Sequence, residues 1–235
     1  TGKKVRLKAA LLGILAVSTA VPWATDFSFQ RTDWIHVGNG VGSVQAGDMD
    51  NDGDMDIVGI GGRNLFIFRN DGVAGWTRFG DLDSTGESGL NGSELCDADN
   101  DGDLDIVAAK YTKDLGWWEN PGGPLTNTPW TFHRLATGVD GWFLHDIIRG
   151  DLDKDGKAEE FVCVLQRGYW NAPVHIHWYR PTADPLQDWE KHVITNNQPG
   201  PNNNHAGIDL ADIDGDGDVD LAFSNGWFES SPDPA

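Results

Sequence analysis

Carboxylates recur at alternate positions in four short stretches of this chain. They are Asp48, Asp50, Asp52, Asp54 and Asp56 in "DMDNDGDMD"; Asp97, Asp99, Asp101, Asp103 and Asp105 in "DADNDGDLD"; Asp151, Asp153, Asp155 and Glu159 in "DLDKDGKAE"; and Asp212, Asp214, Asp216, Asp218 and Asp220 in "DIDGDGDVD". Acids at positions 1, 3 and 5, a Gly at 6 and another acid at 9 can wrap oxygen atoms around one cation. The glycine permits the sharp turn, and the backbone carbonyl at position 7 (Asp54, Asp103, Lys157 or Asp218) adds a further ligand. Such a set suits Ca²⁺, which accepts many oxygens in flexible geometry; Mg²⁺ keeps its waters, and transition metals favour His or Cys. The expected complement is up to four Ca²⁺, one per loop.

The four loops hold 19 of the 37 acidic residues, so without a cation their charges repel; four Ca²⁺ would move the formal charge from −20 to −12. The third loop, with Lys157 at position 7 and Glu159 at position 9, should bind most weakly. An EF-hand loop would carry a bidentate Glu at position 12 and lead into a helix. Here position 12 is Gly59, Ala108, Val162 or Phe223, and β-forming residues follow. A polar hairpin turn accounts for one such stretch, but less readily for four in phase.

The elements that position these loops are repeated too. Successive loops start 49, 54 and 61 residues apart, and each leads into a β-rich run: "DIVGI", "DIVAAKY", "EFVCVL" or "DLAFSN". Aromatic stretches follow in "NLFIFRN", "LGWWENPGG" and "HIHWYRP". Next come Trp76, Trp130 and Trp189, each with Phe79, His133 or His192 three residues on. Each unit therefore supplies about four short strands, and tandem four-stranded units are the blades of a β-propeller. The fold expected is all-β, with four repeats forming either a closed four-bladed ring or part of a larger one. After the fourth loop there is no outer strand, whereas "FSFQRTDWIHV" at 27–37 reads as an orphan outer strand that would pair with the last blade.

In these loops and their spacing the chain resembles the FG-GAP or VCBS-type repeats of secreted bacterial propeller proteins and, more distantly, the calcium loops of integrin α-subunit propellers. The resemblance covers about residues 27 to 230. It implies a propeller with bound calcium, in a family that includes binding modules, scaffolds and some polysaccharide-degrading enzymes. Clear Phe-Gly and Gly-Ala-Pro elements of the integrin pattern are missing, so adhesion is not carried over.

Structural calcium is not itself a function, which directs attention to the opposite face, where first strands begin and second strands end. His145 and His205 stand before their loops, and Arg63, Lys110, Tyr111, Arg167, Tyr169, Trp170, Asn225 and Trp227 stand at the strand ends. Aromatic faces stack on sugar rings while Arg and Lys hold carboxylates or sulfates, so a glycan, especially an acidic one, is the expected ligand class; a protein ligand is the other. Trp76, Trp130 and Trp189 recur in phase and read as packing residues, as do His133 and His192. Two functions compete. The preferred one is a non-catalytic binding or scaffold module, a subunit of a surface or membrane assembly among the options. The alternative is a calcium-containing polysaccharide lyase or other carbohydrate-active enzyme; in a lyase His145 or His205 would abstract a proton while Tyr111, Arg167 or Lys110 neutralises a uronate. No nucleophile elbow, phosphate loop or zinc motif is visible.

The charge of −20 excludes a nucleic-acid partner, which needs clustered Lys and Arg. At the N-terminus Lys3, Lys4, Arg6 and Lys8 precede an uncharged stretch from Ala9 to Thr25. Residues 1–25 thus read as a signal peptide, cut near Ser18-Thr19-Ala20, or as a retained anchor contacting a membrane or membrane complex through residues 5–25. Either places the propeller, residues 26–235, outside the cytoplasm. Cys96 and Cys163 lack metal spacing and read as small buried hydrophobes, one disulfide being the alternative.

Overall fold

A computed structural model describes residues 41–61, 64–80, 82–83, 92–109, 114–136, 143–166, 174–198, 207–223 and 226–230. The chain divides into two units, Thr1–His36 and Val37–Ala235, and all described residues belong to the second. The sequence readings at residues 1–25 and 27–37 lie outside the described residues.

The second unit is all-β, with four antiparallel sheets arranged as a four-bladed propeller. Blade 1 comprises β1 (Val41–Gly47), β2 (Asp56–Gly61), β3 (Asn64–Asn70) and β4 (Trp76–Phe79). Blade 2 comprises β5 (Ser93–Cys96), β6 (Asp105–Ala109), β7 (Leu115–Glu119) and β8 (Thr131–Ala136). Blade 3 comprises β9 (Phe143–Gly150), β10 (Glu160–Gln166), β11 (Val174–Arg180) and β12 (Glu190–Gln198). Blade 4 contains β13 (Ile208–Ala211), β14 (Asp220–Phe223) and β15 (Gly226–Phe228) among the described residues. Strands follow one another in sequence order within each sheet. Every acidic loop joins the first strand of a blade to the second, and a strand follows it in all four cases, as the rejection of an EF-hand requires.

Period-two alternation builds the cores. In blade 1, Val58, Ile60, Leu65 and Ile67 face Leu95, Ile106, Ala108 and Trp118 of blade 2. From the other side of blade 2, Val107, Leu115, Trp117 and Leu135 meet Leu144, Phe161, Cys163, Leu165 and Tyr179 of blade 3. Val162, Val164, Val174 and Ile176 then turn toward Leu221 and Phe223 of blade 4. A blade lying between two others must be apolar on both faces, which is why β10 reads "EFVCVLQ" and is buried throughout. The adjacent Trp117 and Trp118 serve opposite cores for the same reason.

Of the recurrent tryptophans, Trp130 and Trp189 are packing residues, whereas Trp76 is half-buried. Trp130 and Trp189 are buried, and their backbone N–H groups donate to Leu82 and Leu135 of the preceding blade, each at 2.7 Å. His133 stacks on Trp117 and His192 lies flat on Trp178, at centroid separations of 4.4 and 3.8 Å. Cys96 and Cys163 are free and buried in the core between blades 2 and 3. The small-hydrophobe reading therefore replaces the disulfide, and burial pushes the Cys96 thiol up to about 12. Among the described residues no helix is long and apolar enough to cross a membrane.

Candidate metal centre

Each loop is shaped by its own carboxylates. The first Asp accepts the N–H of the position-6 glycine: Gly53 to Asp48 at 2.9 Å, Gly102 to Asp97 and Gly156 to Asp151 at 3.0 Å, and Gly217 to Asp212 at 3.1 Å. The position-5 Asp accepts the N–H two residues on, at 2.8 to 2.9 Å, from Asp54, Asp103, Lys157 and Asp218. These bonds bend the chain into the left-handed region twice, at position 6 (φ 94° to 97°) and at position 4, where Asn51, Asn100, Lys154 and Gly215 have φ of 58°, 62°, 63° and 83°. Asn and Gly tolerate that conformation; Lys154 has no such aptitude.

An acid at the start of the second strand holds each loop onto its blade. Asp56 Oδ2 accepts the N–H of Met49 at 2.9 Å while Oδ1 accepts that of Asn70, the last residue of β3, at 2.8 Å. Asp105 does the same for Ala98 and Asn120, and Asp220 for Ile213 and Ser230. These acids are 0 to 1 % exposed, so each is a buried staple tying position 2 of the loop to the end of the third strand.

In blade 3 the staple is Glu160, not the Glu159 that the sequence spacing singles out. Its Oε2 accepts the N–H of Leu152 at 2.9 Å, and it too is fully buried. Glu159 instead pairs with Lys157 Nζ at 3.4 Å. The longer side chain compensates for one extra residue in the loop. Register explains a second difference. Phe161 pairs with Tyr179 as Ile57 pairs with Phe68, so the residue matching Asn70 is Pro181, which has no N–H. Glu160 Oε1 is accordingly buried with no hydrogen-bond partner.

Carboxylate oxygens converge in every loop. Asp48, Asp50 and Asp56; Asp97, Asp99 and Asp101; Asp151, Asp153 and Asp155; and Asp212, Asp214 and Asp220 each bring ligand oxygens within 4.8 Å of one another. At position 7 two side chains reach sideways: Asp103 accepts a hydrogen bond from Asn51 of the preceding loop, and Asp218 pairs with Lys154. Burial raises the pKa of Asp50, with Asp52 and Asp48 adding to the shift; Asp99 is raised by burial and then by Asp101. Asp105 is pushed up to about 7, mainly by burial, whereas the Ser230 N–H is the largest cause holding Asp220 down. Asp50 Oδ1 and Asp151 Oδ1 are buried without hydrogen-bond partners. Oxygen-only donors, mutual repulsion and orphaned buried oxygens together fit a hard divalent cation.

The opposite-face residues fare differently. Arg63, Lys110, Tyr111, Arg167, Tyr169, Trp170, His205 and Asn225 lie outside the described residues. Trp227 is 44 % exposed on β15, and His145 is half-buried on β9. Sequence reasoning missed Glu160, Arg69 and Arg180. The two arginines place Nη1 3.9 Å from Asp50 Oδ2 and 3.7 Å from Asp153 Oδ2. Their signal was present in the alignment of the third strands, one residue before Asn70 and Pro181.

Comparison with curated proteins finds no match. The FG-GAP-like repeat is matched three times, over residues 48–108, 97–162 and 151–223, each match beginning at the start of one acidic loop and running past the start of the next. With those overlapping matches extending from residue 48 to residue 223, the chain belongs to the FG-GAP-like repeat family.

Proposed function

We propose that this protein is an extracytoplasmic binding or scaffold module whose propeller is fastened by Ca²⁺ in its acidic loops, and whose ligand, a glycan or a protein, sits on the face opposite them. The observation that carries the reading is the convergence of carboxylate oxygens within 4.8 Å in all four loops. In blades 1, 2 and 4 the loop is stapled to the second and third strands, and in blade 3 to the second alone through Glu160, so an ion bound there acts on blade stability directly. Residues 26–235 form the module, and residues 1–25 are its export signal or anchor.

The test is thermal unfolding of the full chain in EDTA, in Mg²⁺ and in Ca²⁺. At [Ca²⁺] one hundred times Kd, each occupied site adds about 2.7 kcal/mol, so Ca²⁺ should raise Tm by several degrees and Mg²⁺ by much less. Identical melting in all three conditions overturns the calcium reading. A glycan array probed with the calcium-loaded protein distinguishes the two ligand classes.

A further inference from the structure

The four loops share a pattern but differ in the residue beside the staple acid. One ladder step beyond the pairs Ile57↔Phe68, Ile106↔Trp118, Phe161↔Tyr179 and Leu221↔Phe228 stand Arg69, Glu119, Arg180 and Glu229. The charge therefore alternates from blade to blade at one structural position.

In blades 1 and 3 the arginine is held in place from behind. Arg69 donates from Nε to Asp71 Oδ1 at 2.7 Å and pairs through Nη2 at 2.6 Å. Arg180 donates from Nη2 to Glu190 Oε2 at 2.5 Å. Each then presents Nη1 to the position-3 carboxylate of its own loop, at the 3.9 and 3.7 Å given above. Loop 1 also supplies a sign of an absent partner: the Asp50 side chain is only 9 % exposed, and its Oδ1 accepts no hydrogen bond although Asp48 and Asp56 oxygens lie within 4.8 Å. Loop 2 has the opposite charge beside it. Glu119, held by His133 Nε2 at 2.5 Å, adds to the field around Asp99, and the neighbouring loop contributes only the neutral Asn51. Loop 4 has Glu229 at this position but carries Lys154 on its Asp218.

We propose that the residue at this position grades the loops: Arg69 and Arg180 are built-in counter-cations that hold back divalent binding in loops 1 and 3, and loop 2, with Glu119, fills first. The inference rests on the calcium reading and deepens it. A fixed guanidinium neutralises part of the charge that would attract the ion and repels the ion as it enters, an effect reduced by solvent and salt because both arginines are partly exposed. One such charge is worth about tenfold in affinity.

Ca²⁺ titration of the ¹⁵N-labelled full chain, read at the amides of Gly53, Gly102, Gly156 and Gly217, reports each loop separately, and calorimetry gives the number of ions. Gly102 should move first and Gly53 and Gly156 later. Arg69→Gln should bring the Gly53 midpoint about tenfold lower in Ca²⁺, Arg180→Gln should do the same for Gly156, and Glu119→Gln should delay Gly102. Arg69→Lys keeps the charge and should retain the late Gly53 midpoint, which separates electrostatics from damage to the blade. Simultaneous movement of all four glycines in the wild type, or an unmoved Gly53 midpoint in Arg69→Gln, overturns the inference and leaves the calcium reading standing. Absence of both heat and amide shifts overturns the calcium reading itself, and the inference with it.

Discussion

Two buried acids in equivalent places should respond oppositely to losing their charge. Asp105 uses both oxygens, accepting the N–H of Ala98 and that of Asn120, each at 2.8 Å. In Asp105→Asn one of these donors faces an amide NH₂ instead of an acceptor, and a buried N–H left unpaired costs about 1–3 kcal/mol. Glu160 uses only Oε2, because Pro181 removes the second donor and leaves Oε1 orphaned. Burial is the largest cause raising its pKa, followed, after the opposing Leu152 hydrogen bond, by Asp153, Glu159 and Asp151, all of them acceptors. Glu160→Gln keeps the bond to Leu152, discharges the site and turns an NH₂ toward those carboxylates, so its cost should lie below about 1 kcal/mol or reverse sign. The assay is urea unfolding in EDTA at pH 8, where Asp105, titrating at about 7, is mostly ionised. A third variant tests the missing donor directly. Pro181→Ala restores an N–H but frees the unfolded chain by about 0.4–1 kcal/mol, so the gain should surface as a coupling of about 1 kcal/mol with Glu160 in a double-mutant cycle. If Glu160→Gln costs as much as Asp105→Asn, or if Pro181 and Glu160 do not couple, the missing-donor account is wrong.

Acid sensitivity should arise in the third strand of blade 3. Burial depresses the pKa of both His175 and His177, so their neutral forms stabilise the fold above about pH 6.5, and that contribution is lost as pH falls from the unfolded value through the lower folded one. His177→Gln should therefore lose less stability than the wild type between pH 7.5 and 5.5 in EDTA, and parallel pH profiles would refute the assignment. Two glycines should fail for different reasons when changed to Ala. Gly102 has φ 97° and open space where an added methyl would sit, so the backbone alone should cost about 1–2 kcal/mol. At Gly59 the added carbon would sit 2.2 Å from Phe66 Cε2, and the overpacking should cost about 1–3 kcal/mol or more in denaturant melts.

The legible part of the fold was the part with periodicity. Strand count, loop placement and the packing role of Trp130 and Trp189 follow from a repeat whose polar and apolar positions alternate with period two. Glu159 was misplaced because position counting assumes a loop of constant length, whereas a Glu one residue later reaches the same N–H by being one methylene longer. Pro181 carried a readable signal, since a proline cannot donate, but that signal has meaning only once register sets it opposite Glu160. Arg69 and Arg180 were hidden for a related reason. Residues nineteen to twenty-seven positions from an aspartate in sequence become its neighbours only when the second and third strands pair.

That pairing also determines what a bound ion would act upon. In blades 1, 2 and 4 the staple acid joins position 2 of the loop to the end of the third strand, and in blades 1 and 3 the arginine beside the staple in the ladder reaches the position-3 carboxylate that a bound ion would meet. Loop closure, strand pairing and local charge thus meet at adjacent ladder positions in blades 1 and 2. Position 7 stands apart, since Asp103 and Asp218 reach the neighbouring loop, Lys157 pairs with Glu159, and the contribution of this position to an ion would come from the backbone. The chain can therefore carry Lys157 at position 7, where a lysine side chain leaves the carbonyl in place, while every staple position keeps an acid.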